Sequence, residues 1–235
     1  MSKRLKQEII TWIQVIVVVV ILRETVVTAY RIPTGSMTNT LLIGDFLLVN
    51  RLVFGLKLPW TYIDLIRGRD PERGEIVVFK FPFENKDFVK RCIGLPGDTV
   101  EIRDKAVYIN GKELDEPYTI HIDPNTIGGY TLPQERFQKM WVERRFVDYG
   151  NAVRDNFGPV VVPENHYLLM GDNRDFSFDS RFWGPLPRKY IKGKPIVLYF
   201  SADVRNDIPL IEQIIGHLTP TNIRFGRIGK VAGKL

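Results

Sequence analysis

The chain has 235 residues, 44% hydrophobic and 26% charged, enough to bury a core without disulfide staples and too apolar for wholesale disorder. Its net charge of +6 points to an anionic partner, either nucleic acid or a membrane surface. No zinc finger and no aromatic-and-basic RNA motif is present, so nucleic acid is not an expected partner. Lys3, Arg4 and Lys6 stand directly before an apolar run, which makes membrane lipid the simpler source of the surplus. The single cysteine, Cys92, excludes an internal disulfide and a cysteine-rich metal site; its plain reading is a small buried apolar residue.

The apolar run covers residues 9–22, IITWIQVIVVVVIL, in which only Thr11 and Gln14 are polar. As a helix it is roughly 21 Å long, short of a hydrocarbon core of about 30 Å. Carried past Arg23 and Glu24 to Ala29 it reaches roughly 31 Å. The expectation is a cytoplasmic tail over 1–8 and one transmembrane helix over 9–29, with everything after residue 30 outside. The competing pattern is a secretory signal peptide ending at Val27-Thr28-Ala29. The retained anchor is favoured because the chemistry begins seven residues later, at Ser36. Either pattern sends the rest of the chain across the membrane.

Beyond the anchor, strand signals dominate. Residues 45–49, 75–81 and 88–93 are rich in branched and aromatic side chains and bounded by glycine or proline. Further strands are predicted at 100–102, 107–109, 160–162, 167–170 and 196–200, and Asn110-Gly111 suits a type I′ hairpin turn. The pattern is mainly β, a sandwich or partly open barrel. Residues 112–159 are richer in charged and turn residues and include a short helix predicted over 134–145. They read as an insertion capping a catalytic β domain made of 30–111 and 160–235. Trp60 and Tyr62 are candidates for a membrane interface.

No G-x-S-x-G, S-x-x-K or H-E-x-x-H motif is present, and His121, His166 and His217 stand in unremarkable contexts, so a Ser-His-Asp triad has little support. Three segments carry the chemistry. Ile32-Pro33-Thr34-Gly35-Ser36-Met37 sets a serine on a turn, where its hydroxyl and N–H face outward. Phe88-Val89-Lys90-Arg91-Cys92-Ile93 places a lysine on a strand. By alternation Phe88, Lys90 and Cys92 share one face, and burial there lowers an amine's pKa and makes it a base. Val89 and Ile93 flank Arg91 equally well, so alternation alone does not choose the base. Residues 171–184, GDNRDFSFDSRFWG, form a loop of acids and arginines. A calcium loop fails there, because Ser180 and Leu186 stand where glycine and glutamate are required.

In this order behind an N-terminal anchor, these segments resemble the bacterial type I signal peptidases. Ile32-Pro33-Thr34-Gly35-Ser36-Met37 is similar to the family's nucleophile box and Gly44-Asp45 to its next short box. Residues 73–79 and 90–98 are similar to its lysine-bearing strand pair, and 171–184 to its most distinctive loop, with a weaker echo in 199–203. The resemblance implies a mainly β, signal-peptidase-like domain and a membrane-bound serine endopeptidase cleaving preproteins after small residues through an acyl-enzyme. It implies Ser36 as nucleophile and Lys90 as general base. Ser177 would orient the lysine, Asp179 and Arg181 would brace the loop, and Thr34 would donate to the oxyanion. Ile32, Met37, Leu41, Phe88 and Val89 would line the substrate pockets. No metal or cofactor is implied; the expected state is a monomer in the cytoplasmic membrane with its catalytic domain on the extracytoplasmic side. Thr34, Asn39 and Phe176 depart from the family pattern, where serine, proline and asparagine are common. The alternatives are a self-cleaving Ser-Lys protease of the SOS-repressor type, which this chain opposes by lacking a helix-turn-helix, and a membrane-anchored β domain that only binds partners.

Overall fold

The computed structural model describes residues 3–58, 61, 63–129, 132–203 and 222–233; Trp60, Tyr62 and His217 lie outside them. Helix α1 (Lys3–Thr25) opens the chain. Its side chains from Lys3 to Val20 are exposed on every face. The expected continuous span over 9–29 is corrected here. The helix stops at Thr25, and Val27–Arg31 is a strand, β1. Among the described residues no helix is long and apolar enough to cross a membrane. Arg23 and Glu24 interrupt the apolar run, and the β-branched Val27 and Thr28 find a partner strand, which outweighs their weak helix propensity.

The remaining strands are β2 (Asp45–Asn50), β3 (Gly55–Lys57), β4 (Asp64–Arg67), β5 (Ile76–Lys80), β6 (Asp87–Gly94), β7 (Thr99–Arg103), β8 (Ala106–Ile109), β9 (Lys112–Glu113), β10 (Phe157–Val161), β11 (His166–Met170), β12 (Leu186–Pro187) and β13 (Ile191–Ser201). The fold is mainly β. A seven-stranded sheet runs β1-β2-β13-β5-β6-β11-β12 and a four-stranded sheet runs β10-β7-β8-β9, while β3 and β4 form a separate hairpin. Every pairing between these strands is antiparallel. Asn110 (φ 51°) and Gly111 (φ 81°) turn β8 into β9 with the two positive φ angles of a type I′ turn.

Alternation sorts the core. On β5, Val77 and Phe79 pack with Cys92, Leu169 and Trp183, while Ile76 and Val78 pack with Leu47, Val49 and Leu198. Cys92 is therefore a core residue. A third cluster lies between the smaller sheet and helix α2 (Gln134–Val142), whose Phe137 and Trp141, four residues apart, face Phe157. This helix ends short of the predicted 145 because Arg144 takes a left-handed conformation (φ 65°).

Two features set up the site. Strand β6 lies between β5 and β11, so its side chains are fixed by pairing on both edges. The chain between β1 and β2 is closed at its neck by Ile32 N–H to Asp45 O (2.8 Å) and Gly44 N–H to Ile32 O (3.0 Å), with Gly44 at φ 87°. Buried Asp45 then accepts from Leu42 N–H (2.8 Å), Ser201 Oγ (2.6 Å) and Arg227 Nη2 (2.7 Å). These bonds clamp the turn to the end of β13.

Candidate active site

Ser36 sits in a one-turn 3-10 helix, Gly35–Met37. Met37 anchors that turn in the core, and Leu41 N–H returns to Met37 O at 2.7 Å. Asn173 holds it from the opposite side, its N–H on Ser36 O (3.2 Å) and its Nδ2 on Gly35 O (3.2 Å). Asn39 adopts φ 91° and donates from Nδ2 to Tyr118 O (3.1 Å). Proline, fixed near φ −65°, has no access to that conformation, so this backbone excludes it at residue 39.

Lys90 reaches the same point from β6. Its Nζ donates to Ser36 Oγ at 2.6 Å, and the residue is only 4% exposed. Burial is the largest influence on the amine and lowers its pKa from 10.5 to about 8; Asp179 and Asp172 pull it up and Arg181 pushes it down. In the neutral form the contact runs in reverse, with the hydroxyl donating to the nitrogen lone pair.

Arg91, the alternative that alternation left open, is spent elsewhere. It grips Asp172 through Nε (2.7 Å) and Nη2 (2.6 Å) and donates to Gly74 O (2.7 Å). Its guanidinium lies 3.7 Å from the centre of the Tyr118 ring. Thr40 Oγ1 adds a 2.5 Å bond to Asp172. Arg91, Asp172, Thr40 and Tyr118 thus bind the serine turn, β6 and the loop after β11 into one network. No sequence signal paired them, because the partners are joined only by the fold.

Asp179 and Arg181 form a second buried pair, Nε to Oδ1 and Nη2 to Oδ2, both at 2.8 Å. Arg181 also donates to Arg154 O and Arg174 O, each at 2.7 Å. Burial pushes the Asp179 carboxyl upward, but the Arg181 charge and hydrogen bonds outweigh it and hold the pKa below the usual range. Ser177 also helps to hold it down. Its buried Oγ nevertheless falls outside hydrogen-bond geometry with every described group. The Ser177–Lys90 bond implied by the resemblance is therefore not formed here, where Lys90 is turned to Ser36.

Residues 5–200 match the family model described as "Signal peptidase, peptidase S26". The chain belongs to this family. It is 38% identical over 200 residues to a signal peptidase I of Pseudomonas fluorescens, covering 80% of this chain and 69% of the relative. It is 34% identical over 270 aligned positions to the signal peptidase I of Aquifex aeolicus, covering 96% of this chain and 98% of that one. A crystal structure of a signal peptidase I from Enterococcus faecalis aligns with a TM-score of 0.37 at 30% identity, covering 54% of this chain and 97% of that one.

In this signal peptidase family member, Ser36 and Lys90 open into a cleft of about 780 Å³, and Ile32, Met37, Phe88 and Val89 line it. Leu41 does not line it; it is wholly buried with Leu47, Val49 and Val78. The adjoining turn draws it inward. Thr34 borders the cleft in an extended conformation and makes no capping hydrogen bond. Phe176 and Phe178 also line the cleft and were not assigned to it from sequence. Among the described residues no group of three or more His, Cys, Asp or Glu is placed to hold a metal ion.

Gly171 sits between the two halves of the site. A Cβ there would lie 2.3 Å from Ser177 Oγ and 2.4 Å from Ser36 O, far inside van der Waals contact. Gly171→Ala is therefore expected to displace the serine turn and lower kcat/KM by about a hundredfold, since misplacement by an ångström costs that much. Steady-state cleavage by the folded variant checks this; activity within threefold of wild type would show that the turn absorbs the methyl group.

Proposed function

We propose that this protein is a serine endopeptidase that removes N-terminal signal peptides from exported proteins, cutting after small residues through an acyl-enzyme. The observation that carries this is the 2.6 Å contact between a buried, pKa-lowered Lys90 amine and Ser36 Oγ in an apolar cleft.

Lys90, once neutral, takes the Ser36 proton as Oγ attacks the scissile carbonyl. The oxyanion is met by Ser36 N–H, which opens a helical turn where N–H groups lack an intrahelical acceptor, and by the Thr34 hydroxyl. Lys90 then passes its proton to the leaving amine and activates the water that releases the acyl group. Asp179 and Arg181 fix the loop beside the amine. Ile32, Met37, Phe88 and Val89 restrict the side chains admitted. The resemblance favours action as a monomer, with residues 112–159 capping the β domain.

Helix α1 supports membrane attachment. Ile9, Ile10, Trp12, Ile13, Ile16 and Val19 are exposed on all its faces, and such a helix needs apolar surroundings. Lipid supplies them, and Lys3, Arg4 and Lys6 favour a cytoplasmic N-terminus with the catalytic domain extracytoplasmic.

The test is incubation of the detergent-solubilised protein with a preprotein carrying an Ala-x-Ala site, with the products weighed by mass spectrometry. The expected result is one cut after the last alanine, absent with Ser36→Ala. No cut by folded wild-type protein would instead favour a β domain that only binds its partners.

A further inference from the structure

Every residue from Gly171 to Leu186 is buried or half-buried except two, and both are phenylalanines. Phe178 is 45% exposed but held, with its ring stacked on Phe182 (5.8 Å) and edge-on to Phe81 (6.3 Å). Phe176 is 68% exposed and makes no ring contact among the described residues. Its backbone is nevertheless rigid. Arg174 on one side is locked to Glu116 (2.8 Å) and Gly171 O (3.2 Å), and the Asp175 side chain is fully buried, accepting from Asp123 N–H at 2.8 Å. Ser177 follows, also buried.

An unpartnered aromatic ring on a fixed base carries a standing cost of exposed apolar surface with no fold-stabilising return. It lines the cleft together with Ser36, Lys90, Ile32 and Phe88, where a peptide presented to Ser36 would pass. A phenyl face on a rigid stem loses little entropy on contact and rewards an apolar group over a polar one.

We propose that Phe176 is a specificity-determining residue that takes an apolar side chain of the substrate peptide close to the cleaved bond. This rests on the endopeptidase assignment above. The ring adds to the small-residue filter of Ile32, Met37, Phe88 and Val89 a preference at a different substrate position, and a polar side chain such as asparagine in its place would give no such preference.

The test uses the full chain in detergent and a peptide set with one Ala-x-Ala site, in which leucine or asparagine is placed singly at each flanking position. Wild type is expected to favour leucine at one position by about tenfold in kcat/KM, mainly through KM. Phe176→Asn reduces that ratio to about threefold or less, Phe176→Leu keeps most of it, and neither moves the pH midpoint of cleavage. Equal ratios for wild type and Phe176→Asn at every position would overturn the assignment. So would a Phe176→Asn protein whose only loss is binding to phosphatidylglycerol vesicles, which would place the ring in lipid. Peptide binding to folded Ser36→Ala separates the two levels. If that protein binds the peptides and the ratios do not move, Phe176 alone is misassigned. If nothing is bound and wild type cuts nothing, the endopeptidase assignment falls and takes this one with it.

Discussion

Lys90→Met is expected to lower kcat/KM by about a thousandfold or more while the protein remains folded, because general-base assistance of this kind is worth roughly 10²–10⁴ and a serine hydroxyl alone is a poor nucleophile. Methionine keeps the length and apolar stem of the lysine and loses the lone pair. The wild-type pH profile follows from the same group. The neutral amine is the active form, so kcat/KM should rise with pH, level off above about 8, and fall tenfold per pH unit below it. Stability also rises with pH, but over a higher window than activity. The folded-state pKa lies below the unfolded value of about 10.5, so the unfolded chain binds more protons between those pH values and wild-type stability rises with pH across that window. Below about pH 8 the full penalty of charging the buried amine is present, on the order of 3 kcal/mol. Lys90→Met should therefore melt above wild type at pH 7, with the advantage shrinking as pH climbs past 8. An inactive variant that is also less stable at pH 7 would mean that Lys90 serves the fold.

Arg181→Gln is the second large effect, on stability and on the pH profile together. Arg181 meets both oxygens of Asp179 and two backbone carbonyls, all in the interior. Removing one partner of such a pair leaves an uncompensated buried charge and costs about 3–5 kcal/mol. Because the Asp179 carboxyl is held below its ordinary pKa, this contribution is present above about pH 4 and lost as pH falls through the folded value. Thermal unfolding at pH 7 and at pH 3 measures it, with the larger gap at pH 7. Lys90 feels the change as well. Arg181 pushes the lysine pKa down while Asp179 pulls it up, so the variant loses the first influence and exposes the lysine to an unneutralised second. The midpoint of kcat/KM should move above 8. A folded variant with an unmoved midpoint would show that the pair only braces the loop.

The strands were legible because branched and aromatic runs end at glycines and prolines, as in β5 and β6. Where legibility failed, a distant partner decided. Val27, Thr28 and Ala29 continue an apolar run and suit a helix locally; their partners Asn50, Val49 and Leu48 on β2 make them a strand. Lys90 and Arg91 are equivalent by alternation until Asp172 captures the arginine. Leu41 was assigned to the cleft through the family resemblance, and the turn at residues 37–41 carries it into the core instead. Ser36 itself was legible as a turn serine, but its neighbour Lys90 became identifiable only through a resemblance spanning several segments. Phe176 showed in the sequence merely as a departure from a pattern, and its exposure on the cleft needed the folded chain.

The most direct measurement is covalent labelling by a peptide ending in alanine and capped with a fluorophosphonate, located by peptide mapping and followed in rate from pH 6 to 10. A single adduct on Ser36 is expected, forming with a midpoint near pH 8 and lost in Lys90→Met. An adduct on Ser177, or a Lys90→Met protein labelled on Ser36 at the wild-type rate, would contradict the assignment of Ser36 and Lys90 as the reacting pair.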